Sequence, residues 1–400
     1  MGNTAKYFVF VILNGIYAMM LAGSVLQTFM LEFGFSEEAT NIFFSVMNIV
    51  QVLSILVLSG IADKVKRTKL WQSNTILAAL PFAVCLVLMC FESFEASPSV
   101  SAFLYLLGFV YNVGVGINGV LAYKLPYSIM DMNDYGRISA LSGCVAGVVS
   151  FGISALLSYV QVRFDYMNTM KIAYIASIGV LIASAIVMKS FKEKKIDIPV
   201  SQTSAKTNIL RYKPFTYLII PNITRGISLG MIGMAVTIGY YHGCVDSFSA
   251  SIIVIITGAA TIIGCLIYSK ISGVIKDRRI LLFSSIAVAL FMPLMVLRNN
   301  TLDFLIFYAI AYFFVTIINY AVPVTVTKIA DYSIISQYSA GRMLLNTLGI
   351  SIAGFFCVAM FNLVGVVTTM IISGLLQLVS GVGYYLYLKY FLKLKNVRDI

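Results

Sequence analysis

Tyr123-Lys124-Leu125-Pro126, with Asp134-Tyr135 eight residues past the proline, returns later in the chain as Tyr320-Ala321-Val322-Pro323, with Asp331-Tyr332 at the same distance. A second correspondence links Gly60, Asp63 and Lys64 with Gly273, Asp277 and Arg278, with a small change in spacing. The two matches fall at equivalent places in the two halves of the chain, so the sequence reads as a duplicated unit. Composition says what kind of unit it is. Of 400 residues, 60% are hydrophobic and 11% charged, whereas soluble domains carry about one quarter charged residues. A helix needs about 20 apolar residues to cross a hydrocarbon core of about 30 Å, so roughly a dozen spans use most of the chain and leave no room for a separate soluble enzyme domain.

Long apolar runs between charged or turn-forming breaks predict helices near 7–30, 40–61, 70–90, 102–130, 138–160 and 172–188, then 215–241, 248–268, 280–297, 304–327, 343–361 and 366–388. The expected fold is an all-α polytopic membrane protein with twelve transmembrane helices in two pseudo-symmetric six-helix bundles, residues 1–188 and 214–400. The polar stretch 189–213, with Lys192, Lys194, Lys195, Lys206 and Arg211, reads as a linker between them. Lys64, Lys66, Arg67, Lys69, Lys124, Arg137, Lys270, Lys276, Arg278 and Arg279 all lie at or beyond the ends of even-numbered spans, whereas Glu32, Glu37, Glu38, Glu92, Glu95, Asp165, Asp246 and Asp303 occupy the opposite loops against only Arg163, Lys171 and Arg298. By the positive-inside tendency the basic loops, the linker and both termini face the cytoplasm of a plasma-membrane protein. The net charge of +12 is thereby a topology signal, and no nucleic-acid partner is expected. The first apolar run has one positive flank, Lys6, and no small-residue cleavage site, so it is expected to stay as a helix. The six cysteines lie in or beside apolar runs without CxxC spacing, which argues against a disulfide framework or a metal site, and no cofactor is expected.

Ser59-Gly60-Ile61-Ala62-Asp63-Lys64-Val65-Lys66-Arg67 resembles the signature between helices two and three of the major facilitator superfamily, with Ser59 and Lys66 in place of the usual glycines. Lys124-Leu125-Pro126-Tyr127-Ser128, followed by Asp134-Tyr135-Gly136-Arg137, resembles the end of helix four in its glycoside-pentoside-hexuronide:cation symporter branch. Ala330-Asp331-Tyr332 with Gly341-Arg342 is similar to that branch's helix 10–11 loop, and Lys276-Asp277-Arg278-Arg279-Ile280-Leu281 to its helix 8–9 loop. The resemblance implies a transporter of sugar-like solutes with parallel six-helix repeats and a solute site near the midplane. It also implies acidic cation-binding residues just before the Pro-aromatic pair and within span two. This chain has Lys124 at the first place and Asn48 and Gln51 at the second, so a fixed ammonium could stand in for a bound sodium ion.

The loop charges have a physical role whatever the family. Asp63 with Lys64 and Arg67, Asp277 with Arg278, Asp134 with Arg137, and Asp331 with Arg342 could pair across helix ends and latch one conformation, or the acids could be local caps beside topology-setting cations. Arg225 carries the most information. It lies ten residues beyond Phe215, about 15 Å along a helix and so near mid-membrane, with no acidic residue at comparable depth. A guanidinium there costs a few kcal/mol or more, so it should face a wet cavity, where it could bind an anionic group, or else bond to carbonyls in the bundle interior. Pro221 and Gly226 are expected to bend span seven beside it. Lys124, Tyr123, Asn112, Asn48, Gln51, Asn222, Asn319 and Tyr320 complete the candidate solute-binding set, although for any one amide interhelical bonding is the commoner role. Gly108, Gly114, Gly116, Gly119, Gly143, Gly147 and Gly152 suit close contact between spans four and five, and Trp71 reads as an interface anchor.

An enzyme would need paired carboxylates or a nucleophile beside a base; one histidine and no acidic pair in a cavity-forming region leave no catalytic set. No P-loop supports primary pumping. The expectation is a secondary active transporter moving a small organic solute, sugar-like, anionic or both, by alternating access. The alternatives are a multidrug or other amphipathic-solute exporter of the same fold and a transport-incompetent sensor. Its partners would be the solute, a coupling ion or counter-substrate if transport is coupled, and the bilayer, with the chain acting as a monomer.

Overall fold

The computed structural model describes residues 2–20, 23–58, 67–90, 98–129, 132–192, 212–272, 274–327, 329 and 335–394. These form fifteen helices and, among the described residues, no strand. α1 (Asn3–Met20) and α2 (Gly23–Glu32) occupy the first expected span, followed by α3 (Glu37–Leu58), α4 (Arg67–Met89), α5 (Pro98–Ile129), α6 (Met132–Arg163) and α7 (Tyr166–Lys189). The seventh span is divided into α8 (Lys213–Thr216), α9 (Ile219–Gly233) and α10 (Ala235–Tyr241). α11 (Ser247–Ile271), α12 (Asp277–Leu294), α13 (Thr301–Thr327), α14 (Ile335–Val364) and α15 (Val366–Leu394) complete the chain. Eight described helices are long and apolar enough to cross a membrane, nine if the bent seventh span counts as one. α1 with α2, α6 and α12 stand at the other three expected positions. Helices are the natural outcome, because apolar side chains can face lipid only if every backbone N–H and C=O is satisfied within the segment. Polar residues mark the helix starts: Asp165 accepts from the Asn168 backbone N–H at 2.6 Å to cap α7, and Asp246 accepts from that of Ser249 at 2.8 Å at the start of α11.

Contacts divide the chain into two compact units, Met1–Lys194 with Val236–Ala259, and Lys195–Ala235 with Ala260–Ile400. In the first, α4 packs on α7 and α5, α3 on α5, and α1 on α6 and α7. In the second, α12 packs on α15 and α13, and α9 on α14 and α15, while Gly264 of α11 meets Thr316 of α13. Counted by span, the pairings three–six, three–four, two–four, one–five and one–six return as nine–twelve, nine–ten, eight–ten, seven–eleven and seven–twelve. The repeat suggested by the paired tyrosine-proline motifs is therefore a repeat of packing. The core of the first unit gathers Phe29, Phe43, Phe82 and Tyr174. Residues 236–259 join it through the Thr237 hydroxyl on Gln27, the Tyr240 hydroxyl on Glu32, and Gly258 pressed against the Phe151 backbone.

Three expectations are corrected. Pro221 does not bend α9: it is the third residue of that helix, and the interruption falls four residues earlier, at Tyr217 in the turn between α8 and α9, where a proline ring cannot accept a continuing helix. The larger break, 57°, is at Met234 between α9 and α10. Trp71 does not present its ring outward as an anchor would: it is buried, edge-on to Phe10 of α1 at 5.0 Å. Three of the expected glycines of α5 do not mate with α6: Gly108 faces Met47 and Phe43 of α3, Gly114 faces Asn74 of α4, and Gly116 faces Ser54 of α3, while nothing lies within 4 Å of a Cβ on Gly152; the surroundings of Gly119 are outside the described set.

Candidate functional site

The second unit holds a buried polar lattice built outward from α9. Two small residues one turn apart, Gly226 and Gly230, lie against Gly349 and Ala353 of α14, also one turn apart, in the small-x-x-x-small manner that lets membrane helices touch through their backbones. A Cβ on Gly226 would sit 2.1 Å from the Asn346 carbonyl oxygen, and one on Gly349 would sit 2.3 Å from that of Ile223. This seam brings Arg225 beside Asn346.

Arg225 is buried, with 4% of its surface exposed. Its Nη2 donates to Asn319 Oδ1 at 2.5 Å, and its Nη1 to Asn346 Oδ1 at 3.4 Å. Both partners are neutral amides on different helices, and both residues are only half-buried. The Tyr384 hydroxyl of α15 lies near the guanidinium and donates to Asn222 Oδ1 at 2.8 Å, while Asn222 Nδ2 donates to the Leu218 carbonyl at 2.8 Å. Ser380 donates to the Pro221 carbonyl at 2.8 Å, and Gln377 donates to Ser285 at 3.1 Å, so α15 is stitched to both α9 and α12. Each such interhelical bond is worth about 0.6 to 2 kcal/mol in a membrane protein, and together they hold the guanidinium in one place.

The structure joins Arg225 with Asn319, and Tyr320 follows on the same helix, half-buried. Asn222 is instead wholly buried, with both ends of its amide engaged. In the first unit, Asn48 and Gln51 lie half-buried one turn apart on α3, and Asn112 of α5 donates back to the Gly108 carbonyl of its own helix at 2.9 Å. Tyr123 and Lys124 fall within α5, and Asp134 and Arg137 within α6, but their side chains lie outside the described set, as does that of Arg67. Asp63, Lys64 and Asp331 are outside the described residues altogether. Of the other expected latch residues, Asp277 is buried in the first turn of α12 near the Tyr268 hydroxyl, Arg278 stacks its guanidinium 5.7 Å from the Tyr385 ring centre, and Arg342 is buried on α14. No cluster of metal-ligating side chains occurs among the described residues.

Asn346 and Tyr384 are the members that sequence reading missed. Both sit in apolar runs where a single polar residue carries no periodic signal. The pair Gly226-Ile227-Ser228-Leu229-Gly230 and Gly349-Ile350-Ser351-Ile352-Ala353 could have revealed Asn346, since two matching small-residue turns predict the crossing that delivers it.

A family model described as Major Facilitator Superfamily matches residues 7–352. No curated protein matches the sequence. Among solved structures, the D-xylose-proton symporter aligns with a TM-score of 0.72 at 12% identity, covering 99% of this chain and 97% of the other. A point variant of the nucleoside transporter NupG aligns with a TM-score of 0.69 at 14% identity, covering 96% and 100%. A point variant of the E. coli fucose:proton symporter FucP aligns with a TM-score of 0.64 at 10% identity, covering 97% of each chain. At these identities the likeness is one of fold.

Proposed function

The chain belongs to the major facilitator superfamily, and on that premise we propose that it is a secondary active transporter whose solute is hydroxylated and acidic, taken up beside the Arg225 cluster. One observation carries the substrate class: a permanently charged guanidinium at mid-span is bonded to the neutral amides of Asn319 and Asn346. A cation at that depth is costly to insert and is retained where it meets a solute or ion path. Amides, a tyrosine hydroxyl and a guanidinium suit a solute rich in oxygen acceptors. The proteins of similar fold are transporters of xylose, nucleoside and fucose, which are hydroxylated molecules. The motifs around Lys124 and Asp331 support the glycoside-pentoside-hexuronide branch, and Lys124, Asn48 and Gln51 in place of that branch's acids support transport without sodium.

In this reading residues 1–188 and 214–400 are the two moving halves of an alternating-access carrier. Asp277, Arg278 and Arg342 are the described members of the end-latch set. The termini and the linker face the cytoplasm of a plasma membrane. The test is uptake into proteoliposomes loaded in turn with hexuronates, neutral hexoses and cationic drugs. Acid uptake that Arg225→Ala abolishes, unchanged by removing sodium, is expected. Export of cationic drugs that survives Arg225→Ala would overturn the substrate class in favour of an exporter.

A further inference from the structure

We propose that Arg225 is a positioning residue and that the groups touching the solute are the side-chain amino groups of Asn319 and Asn346; this rests on the Arg225 cluster being the solute site. A guanidinium has donors and no acceptor, so an asparagine bonded to it must present its oxygen. Asn319 and Asn346 both do so, to Nη2 and Nη1 respectively. With each Oδ1 turned to Arg225, each Nδ2 is turned away from it. Among the described residues neither Nδ2 has a hydrogen-bond partner, and both residues are half-buried whereas Arg225 is buried. Asn222 shows the contrast: its Oδ1 accepts from Tyr384, its Nδ2 donates to the Leu218 carbonyl, and its side chain is wholly buried.

The arrangement hides the charge and displays two amide donors that the charge polarises. A hydrogen bond accepted by Oδ1 from a cation draws electrons toward that oxygen and strengthens the N–H bonds as donors. Polarised donors beside a buried positive charge fit an acceptor-only group, which a carboxylate is and a hydroxyl is not. The preferred solute is therefore a hydroxylated carboxylic acid held by the asparagines and stabilised by Arg225 from behind. Lysine cannot replace that arginine, because an ammonium lacks the planar fork that orients two amides at once.

The purified full-length protein is titrated with hexuronates and aldonates, and with the matching neutral hexoses, by thermal shift. Wild-type protein should bind at least one acid more tightly than its neutral counterpart. Asn319→Ala and Asn346→Ala should each weaken that acid about tenfold, the loss of one charge-assisted hydrogen bond. Arg225→Lys should lower the acid-to-neutral preference although it keeps the charge, a change that simple loss of stability would not produce. Where an alanine variant fails to fold, the near-isosteric Asn→Leu at the same position gives the same reading. Wild-type or tighter acid binding in both asparagine variants overturns the inference, because a guanidinium released from its partner would then be gripping the acid itself, and the Arg225 site would stand. Binding of neutral hexoses without any acid by the wild type overturns the acidic substrate class and this inference with it.

Discussion

Gly226→Ala is the most economical test of the seam that carries the site. The added methyl would lie 2.1 Å from the Asn346 carbonyl oxygen and 2.9 Å from Gly349 Cα, where ordinary contact begins at 3.4 Å. Both obstacles are backbone, so no side chain can swing aside, and α9 and α14 must part by about 1 Å in an interior packed as densely as a crystal. Overpacking costs about 1–3 kcal/mol, and an unyielding backbone puts this case at the upper end. Alanine recovers about 1 kcal/mol of helix propensity over glycine, leaving a net loss of about 2 kcal/mol. That corresponds to a fall of about 2 to 4 °C in the thermal midpoint for a chain of this size. The control is Gly179→Ala in α7, where nothing lies within 4 Å and only the propensity gain remains. The same separation would break the Arg225–Asn346 hydrogen bond, already long at 3.4 Å, so acid binding should weaken with stability. The assay is paired thermal unfolding of the purified variants in one detergent. A midpoint for Gly226→Ala equal to or above that of Gly179→Ala would refute the close crossing.

Three further outcomes can be checked. Tyr384→Phe leaves Asn222 Oδ1 without its donor in a dry interior and should cost about 1 to 2 kcal/mol, read as a lower unfolding midpoint; an unchanged midpoint would show that the bond contributes nothing. Hydrogen bonds from Ser249 hold the Asp246 carboxyl below its ordinary value of 3.8, so its stabilising effect is present above that pH and is lost as pH falls through the folded value. The stability gap between wild type and Asp246→Ala should narrow on acidification below 3.8, and a gap that widens would contradict the cap. Burial pushes the Cys244 thiol up to about 11, so maleimide should modify exposed Cys90 at neutral pH well before Cys244, whose labelling should rise as pH approaches 11; equal rates at neutral pH would show that Cys244 is not shielded.

The sequence made the spans legible because hydrocarbon imposes one strong rule, an apolar helix of fixed length, whereas the duplicated Tyr-Pro and Asp-Tyr motifs did not show that residues 236–259 group with the first compact unit. Arg225 was legible for the same reason: a charge inside an apolar run has few explanations. Its partners were harder to read. Asn319 and Asn222 look alike in sequence, yet one is half-buried, its amino group without a partner among the described residues, while the other is wholly buried and bonded at both ends, a difference set by the hydroxyl of Tyr384 on a helix far along the chain. The glycines of α5 named a close contact but not the helix across it, since a small residue specifies distance and not partner. Pro221 marks the interruption one turn before it, at Tyr217, rather than the larger bend, which falls at Met234 directly after Gly233.

The interlocked glycines of α9 and α14 have a bearing on energetics during turnover. Where two backbones touch this closely there is no slack for one helix to slide on the other, so Arg225 and Asn346 must travel as a single casting. If the proposed solute site is right, a grip cast that way keeps its shape whichever side of the bilayer it faces. Transport would then gain no driving force by deforming this seam, and any preference for one direction would have to be supplied by gradients or by parts of the chain that can yield.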